Sequence, residues 1–378
     1  MWVNFTCAQS YDRSKSAYYW KHTDVMALIN LVSIGPSHCP RARRLNDLIE
    51  PLSRGELATI ETQVDVRSST IADRIINVLL LLLGFHAAYL ARKNQQLPEL
   101  QSSEYIVCHD ILLLPWVLET GSEVIFDARE FYPAQFEQEK LWRLTWGRLY
   151  RHICTKYLDE CRSVVTVSDG LAELYRTRFG THAKVIPSFA HPSVKAEVRT
   201  ETPLRFVHHG NASAARSLEN LVKGIGQVRG ATLDLYLVVK EPTYYRTLEK
   251  LCDSYEHVNL HQPVSFEDIG ETLSQYDVGI FAPEPKTTNL LYCLPNKFFE
   301  FIQAGLAVLI SPLPDLQRWT VQHDVGWVTG GFSSEDIYKP AEQLGRETVE
   351  EKKANARSAA DLCSSSLFAT SFIELIQA

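Results

Sequence analysis

The residues best suited by type and spacing to bind a charged ligand are Lys297 and Glu300, which lie between Pro295 and Gly305. The proline predicts the start of a helix, and the glycine predicts a left-handed helix end before a buried strand. A lysine in the first turn suits a phosphate, because its charge and the free N–H groups both attract an anion. A carboxylate one turn later shares that face and can accept hydrogen bonds from vicinal hydroxyls, such as those of a ribose. An exposed, weak ion pair is the alternative, and the spacing alone leaves both interpretations open.

These two residues belong to a long alternation of apolar runs and helical patterns. In the first half, the predicted strands are Ala27–Ile34, Tyr105–Cys108, Val124–Phe126, Ser163–Val167 and Val185–Ile186. In the second half, they are Leu204–His208, Thr232–Val239, Val258–Leu260, Val278–Phe281 and Ala307–Ile310. Continuous apolar strands that alternate with helices are typical of parallel sheets covered on both faces. The sequence therefore predicts two open α/β domains, with a ligand site in the cleft between them.

The predicted organisation has five parts. An extension over residues 1–25 precedes a first domain over 26–187, and a polar, proline-containing linker over 188–203 leads to a second domain over 204–354. The C-terminal residues 355–378 end a helix that is predicted to pack back on the first domain. The other predicted helices that matter below are Leu45–Leu52, Leu141–Leu158, Lys297–Ala304 and the full C-terminal helix Glu347–Ile376.

One apolar segment, Ile75–Leu90, tests whether the chain meets a membrane. It is about 16 residues long, short of the roughly 20 that span a bilayer, and it contains Asn77. A helix buried between the sheet and its neighbours is the favoured interpretation. The alternative is a helix on the inner surface of a membrane, with Arg74 and Arg92 at its ends.

The composition restricts the class of protein. The chain has 378 residues, 45% of them hydrophobic and 22% charged, which excludes a disordered or collagenous chain. The formal charge is 38 − 45 = −7, which argues against a nucleic-acid partner bound by bulk positive charge. Eight cysteines without CxxC or zinc-type spacing predict reduced core residues. No apolar leader stands at the N-terminus, so a cytoplasmic location is predicted.

Four segments in order resemble the GT-B glycosyltransferases, particularly the large family of retaining enzymes called family 4. They are EYIVCHDILLLPWVLETGSEVIFDAREFYP, SVVTVSDGLAELYRTRFGTHAKVIPS, HVNLHQPVSFEDIGETLSQYDVGIFAPEP and LPNKFFEFIQAGLAVLISPLPDL. The resemblance implies a GT-B fold, in which two Rossmann-like domains face each other across a cleft. It also implies transfer of a sugar, with retention, from a nucleotide-diphosphate-sugar donor to a glycan, lipid-linked or other acceptor. Polysaccharide biosynthesis is the implied setting, with no cofactor.

The resemblance assigns roles to residues of the second domain. Glu300 would hold the ribose hydroxyls of the donor, and Lys297 would lie near its diphosphate. Gly210 would let the backbone approach the diphosphate, and Arg216 would stabilise the charge of the leaving group. Glu284, in an acidic loop before the helix, is a further donor-binding candidate. For Arg216 the alternative is an exposed cation at a helix start.

In the first domain the candidate residues follow predicted strands. His109 and Asp127 are the candidates for catalytic contact with the sugar or acceptor, and helix capping is their alternative. Arg129 stands where the family frequently has a histidine, so a histidine role is not transferred to it. An arginine there could still orient a phosphate or an anionic acceptor. Arg129, Glu130 and Arg41 are predicted to lie on the acceptor side.

Arg41 is one of three arginines, with Arg43 and Arg44, in a predicted loop after a turn at Gly35. This loop resembles the acceptor loop of the family and would suit a phosphate-bearing acceptor, whereas a solvated helix start is the alternative. The sequence has no Asp-x-Asp motif for a metal-bridged diphosphate, so no metal is expected. Two other functions keep the same fold: a non-hydrolysing nucleotide-sugar 2-epimerase, and a catalytically silent scaffold protein in glycan assembly.

Overall fold

The chain folds around two parallel sheets of six strands each. The computed structural model describes residues 27–34, 40–53, 57–64, 70–195 and 203–378. The strands of the first sheet lie between residues 27 and 185, and those of the second sheet between 204 and 328. Helices cover the sheets, so the strands are buried on both faces, as their apolar sequences predict.

The first sheet consists of β1 Ala27–Ile34, β2 Leu57–Val64, β3 Tyr105–Cys108, β4 Glu123–Ala128, β5 Ser163–Thr166 and β6 Lys184–Val185. Its strand order is β2-β1-β3-β4-β5-β6, so the direction of winding reverses between β1 and β3. The edge strand β2 is missing from the sequence-based prediction. Its sequence LATIETQV is half polar because several of its side chains are partly or fully exposed at the sheet edge.

The second sheet consists of β7 Leu204–Ala212, β8 Ala231–Val239, β9 Val258–His261, β10 Val278–Phe281, β11 Ala307–Ile310 and β12 Gly326–Val328. Its strand order is β12-β11-β10-β7-β8-β9, so the winding reverses between β7 and β10. In open α/β sheets, ligands bind outside the carboxyl ends of the strands at such a reversal point.

Helices connect the strands. They are α1 Pro40–Leu52, α2 Ile71–Leu82, α3 His86–Asn94, α4 Leu114–Leu118, α5 Lys140–Leu144, α6 Trp146–Tyr157, α7 Asp169–Phe179, α8 Leu218–Ile225, α9 Pro242–Cys252, α10 Ile269–Leu273, α11 Thr288–Leu291, α12 Asn296–Gln303, α13 Pro314–Gln322, α14 Ser334–Glu342, α15 Arg346–Ala359 and α16 Ser365–Gln377. Short 3-10 helices lie at Ile111–Leu113, Tyr132–Ala134, Leu158–Glu160, Ala214–Arg216 and Ala360–Cys363. The single helix predicted over Leu141–Leu158 is therefore two helices, α5 and α6.

Helix α1 begins five residues earlier than predicted. It starts at Pro40, a residue type that fits the first helical turn because it has no N–H to leave unpaired there. Arg41 and Arg44 are consequently side chains of a buried helix and not of a solvated loop. The Gly35 turn and the Arg43 side chain lie outside the described residues.

The apolar segment Ile75–Leu90 corrects a second expectation. It forms α2 and α3 rather than one helix, and the favoured interpretation of a helix buried between the sheet and its neighbours is wrong. Asn77 and Leu81 are buried, whereas Ile75 is 57% exposed and Leu83 is 68% exposed. Among the described residues, no helix is both long and apolar enough to cross a membrane.

The C-terminal part is two helices where one was predicted. In α15, Val349 and Ala356 pack in the cores beside the second sheet. In α16, Phe368 and Phe372 pack in a core with strands of the first sheet. The chain thus crosses from one half to the other a second time, between α15 and α16.

The two crossings of the chain lie side by side. The N–H of Ser365, at the start of α16, donates a hydrogen bond of 2.8 Å to the carbonyl oxygen of Ala190. Ala190 belongs to the segment that leads from the first sheet toward the second, and it forms an isolated parallel bridge with Ser364. Both connections between the halves therefore pass through one place.

Candidate functional site

The carboxyl ends of strands from both sheets border one cleft. Phe131 follows β4 of the first sheet, and its N–H donates a hydrogen bond of 2.7 Å to the Asn289 side-chain oxygen. Asn289 follows β10 of the second sheet, within α11. The residues that follow these two central strands are thus in direct contact.

Lys297 reaches from the first turn of α12 to the end of β7. Its Nζ donates a hydrogen bond of 2.5 Å to the carbonyl oxygen of His209 and lies 3.4 Å from Nε2 of His208. The same Nζ lies 5.0 Å from the centre of the Phe281 ring. Burial, and after it the charge of Arg216, lowers the pKa of Lys297 to about 7. Lys297 therefore changes its charge near neutral pH.

Arg216 places a second cation beside Lys297. It is the last residue of the 3-10 helix that follows β7, and its side chain is only partly buried. Within the described part of the chain, neither Arg216 nor Lys297 forms an ion pair with a carboxylate. The Glu300 carboxylate raises the pKa of Lys297 less than burial and Arg216 lower it, so an anion bound between the two cations is stabilised.

Gly210 provides the space that Lys297 occupies. Its φ is +129°, a backbone conformation that side-chain-bearing residues rarely adopt. A Cβ atom at this position would lie 2.7 Å from the Lys297 Nζ. Only glycine thus lets the lysine reach the end of β7 without displacement.

Glu300 links the two halves electrostatically. One of its carboxylate oxygens lies 3.2 Å from Nε2 of His209, and the other lies 3.6 Å from Nη2 of Arg44 on α1. Burial alone raises the pKa of Glu300, but His209, Arg44 and Lys297 together lower it below its usual value. Glu300 is therefore ionised at neutral pH and available as a hydrogen-bond acceptor.

In the first half, Asp127 is the centre of a buried polar cluster. Arg41 Nε donates hydrogen bonds of 2.9 and 2.8 Å to its two carboxylate oxygens, and Nδ1 of His109 lies 3.0 Å from one of them. Burial opposes ionisation of Asp127, but the charge of Arg41 and the contact with His109 hold its pKa well below the usual value. Asp127 and His109 have no exposed surface, so their contact with a ligand remains a prediction.

The charge of Arg129 is also paired. Its Nη2 donates hydrogen bonds of 2.9 Å to the carbonyl oxygen of His109 and 3.3 Å to the carboxylate of Asp110. Tyr132 donates a hydrogen bond of 2.8 Å to the same His109 carbonyl. Arg129 and Tyr132 thus both support the His109 backbone.

Glu130 is tied to the second half through Asn289. The Asn289 amide donates to the Glu130 carboxylate at 3.3 Å, and Gln135 donates to the other carboxylate oxygen at 2.7 Å. Burial raises the pKa of Glu130. This carboxylate therefore protonates more readily than an exposed one.

A cavity of about 290 Å³ lies between the halves. Its lining residues come from both halves: Arg41, Arg129, Glu130, Val167, Leu171, Ser188, Asn289, Cys293, Leu294, Pro295 and Asn296. All three predicted acceptor-side residues are among them. Pro295 and Asn296 precede Lys297, so the cavity borders the start of α12.

Glu284 lies apart from this arrangement. It follows β10, is exposed, and its carboxylate lies 3.5 Å from Nζ of Lys286. Its role in donor binding stays a prediction. In the described residues, no group of three or more His, Cys, Asp or Glu side chains is placed to hold a metal ion.

Several contacts of the site were missed by sequence reasoning. His209, Arg44 and Asn289 all bind a predicted site residue. The sequence offered one signal, the consecutive histidines His208 and His209 directly before Gly210. Arg44 was singled out with Arg41 and Arg43 for an acceptor phosphate, but its contact with Glu300 was not predicted, and Asn289 gave no signal, because these partners lie more than 150 residues apart in the chain.

Solved structures similar to this chain have the GT-B fold, which confirms the predicted fold class. HepE of Anabaena in complex with UDP has a TM-score of 0.64 at 11% identity, covering 93% of this chain and 100% of HepE. Sucrose-phosphate synthase of Thermosynechococcus elongatus has a TM-score of 0.65 at 13% identity, covering 93% and 98%. WaaG, a glycosyltransferase involved in lipopolysaccharide biosynthesis, has a TM-score of 0.61 at 13% identity, covering 92% and 99%. No protein-family model and no curated protein sequence matches the chain.

Proposed function

We propose that this protein is a glycosyltransferase that uses a nucleotide-diphosphate-sugar donor. The observation that carries the proposal is the pair of cations, Arg216 and Lys297, which lie at the start of α12 and have no ion-paired carboxylate among the residues that the structure describes. Such a pair suits the diphosphate of a donor. The similarity to the UDP complex of HepE supports the same donor class.

In the proposed reaction, the bond between the sugar and the diphosphate breaks, and negative charge develops on the leaving diphosphate. Arg216 and Lys297 stabilise this charge, and the free N–H groups of the first turn of α12 add to the effect. Glu300 accepts hydrogen bonds from the ribose hydroxyls. The acceptor enters the cavity beside Arg41, Arg129 and Glu130.

The proposal extends to retention of the anomeric configuration, to metal-independent transfer and to membership of family 4, as the sequence resemblance implies. The acceptor is a glycan or a lipid-linked sugar. Because Arg41 and Arg129 are each paired with an aspartate, the acceptor part in the cavity is more suitably a neutral sugar than a phosphate. A cytoplasmic location remains a prediction.

A thermal-shift screen against UDP, UDP-glucose and other nucleotide sugars tests donor binding. A ligand at a hundred times its Kd stabilises the native state by about 2.7 kcal/mol and raises the melting temperature. Release of nucleoside diphosphate in the presence of candidate acceptors, with and without EDTA, then tests transfer and its metal independence. Magnetic resonance of the product gives the anomeric configuration.

Site variants decide whether the assignment is right. Arg216→Ala is expected to lower the transfer rate by about 100-fold or more, since it removes stabilisation of the leaving group. The matched control is Arg246→Ala, which removes an exposed arginine on α9 of the same half and should leave the rate unchanged. If folded Arg216→Ala and Glu300→Ala variants transferred sugar as fast as the parent, the site would be wrong.

The two alternatives give different results in the same assays. An epimerase would convert the donor without an acceptor, so incubation with donor alone identifies it. A silent scaffold protein would show no thermal shift with any nucleotide.

A further inference from the structure

Helix α2 presents an apolar side to solvent instead of to the core. Apolar residues at positions 71, 75, 78, 79 and 82 fall on one side of the helix, as the spacing of three and four residues requires. All five are exposed, and Ile71 is 75% exposed. Together with the neighbouring Ile76, Leu83 and Phe85, we name them the α2 face. A helix that packs only on its own protein normally turns its apolar side to the core and its polar side to solvent.

Exposed cations lie on a helix that packs beside this face, although the whole chain is acidic. Residues 140–158, which form α5 and α6, contain five lysines and arginines and no aspartate or glutamate. All five are exposed: Lys140, Arg143, Arg148, Arg151 and Lys156. On α2 and α3, Arg74 is exposed, whereas Arg92 pairs with Asp73 and Lys93 is buried. The charge of α5 and α6 is thus opposite in sign to the net charge of −7.

Contacts join the cationic helix α6 to the end of α2. The His86 ring, one residue after Phe85, lies 5.1 Å from the ring of His152 on α6. Arg148 and Lys156 are four residues before and after His152, so all three share one side of α6. Burial, His152 and Arg148 lower the pKa of His86, which agrees with the closeness of Arg148. The cations therefore lie next to the apolar face.

We propose that the α2 face docks on the surface of an anionic phospholipid bilayer, with α6 supplying the charge. An amphipathic helix that inserts its apolar side below the headgroups, with cations at that level, has the chemistry of such a surface. A second copy of this chain fits less well, because a symmetric contact would bring the two sets of cations together. The inference is independent of the proposed reaction, and its test contains no sugar.

The test is co-sedimentation of the full chain with vesicles of phosphatidylcholine, alone or mixed with phosphatidylglycerol. We expect the protein to bind the mixed vesicles and to bind them more weakly when salt is added. We expect Arg148→Ala and Lys156→Ala each to lower the binding about fivefold. Ile75→Ser/Leu79→Ser is expected to reduce binding by about tenfold or more. Both positions are exposed, so the fold should be kept, which the unfolding midpoint verifies.

The matched control is Val321→Ser/Leu362→Ser, which changes two equally exposed apolar residues elsewhere and should not alter vesicle binding. Equal binding by the two double variants would overturn the proposal, as would absence of binding to mixed vesicles. Concentration-dependent self-association that disappears in Ile75→Ser/Leu79→Ser, without vesicle binding, would assign the face to a second copy and also overturn it.

Discussion

The Nη2 of Arg44 on α1 lies 3.6 Å from the carboxylate of Glu300 on α12, so a buried cation of one half meets a carboxylate of the other. Arg44 also donates a hydrogen bond of 3.3 Å to the carbonyl oxygen of Ser188. The donor-side carboxylate is therefore held in part by a residue that is more than 250 positions away in the chain.

Removing this arginine should destabilise the protein. Arg44→Met leaves Glu300 largely buried with His209 as its remaining close partner, and we expect the free energy of unfolding to fall by about 3 kcal/mol. Denaturant titration measures this change. The control is Lys339→Met, which breaks an exposed pair with Glu335 at 3.5 Å and should cost less than about 0.5 kcal/mol. Equal losses in the two variants would contradict the assignment.

The pair of Arg41 and Asp127 should show strong coupling. Arg41→Met or Asp127→Leu alone leaves one buried charge without its partner, and each is expected to cost about 3 to 5 kcal/mol. The double variant should lose about 2 kcal/mol less unfolding free energy than the sum of the two single losses, because no isolated charge remains. A double-mutant cycle by chemical denaturation measures the difference. Additive losses would show that the two groups do not stabilise each other.

Donor binding should depend on pH through Lys297. Its pKa is about 7 without ligand, and the negative diphosphate should raise it, so binding above pH 7 takes up a proton. Affinity for UDP-glucose should be nearly constant well below pH 7 and should fall between pH 7 and 9 by up to about tenfold per pH unit. Calorimetry over this range measures the affinity. In Lys297→Met the profile should be flat, and a parent-like slope there would assign the titration to another group.

Gly210→Ala should lower the free energy of unfolding more than the same substitution at another glycine with positive φ. Gly121→Ala is the control, since φ is +77° and no atom lies within 4 Å of the added Cβ. We expect it to cost about 1 to 2 kcal/mol from the backbone alone. Gly210→Ala should cost more because Lys297 must also move, and Lys297→Met should recover part of that excess. Similar losses of unfolding free energy at both glycines would show that Lys297 moves aside without destabilising the protein.

The strands of both sheets could be predicted because each buried strand is a short apolar run between turn residues. The runs Ala27–Ile34, Tyr105–Cys108, Val278–Phe281 and Ala307–Ile310 match the observed strands. The pattern fails for two edge strands, β2, which contains Thr59, Glu61 and Gln63, and β12, whose three residues are only partly buried. Hydrophobic patterning thus reports burial on both faces and misses strands that have one covered face.

For the site as well, local features could be predicted from the sequence and long-range contacts could not. The helix that places Lys297 and Glu300 one turn apart could be predicted because helix spacing is a local property of the chain. The contacts of Glu300 with Arg44 and of Glu130 with Asn289 depend on how two distant segments pack, which local spacing does not encode. The exposure of Ile75 was mispredicted for a related reason, because an apolar composition does not determine which side of a helix is covered.

The hydrogen bond between Ser365 and Ala190 has a consequence for motion. The two chain crossings are joined at this point, so a rotation that separates the two sheets must bend both crossings together. The bonds of Asn289 with Phe131 and Glu130 also join the halves, so the cleft cannot open at α11 while these bonds remain.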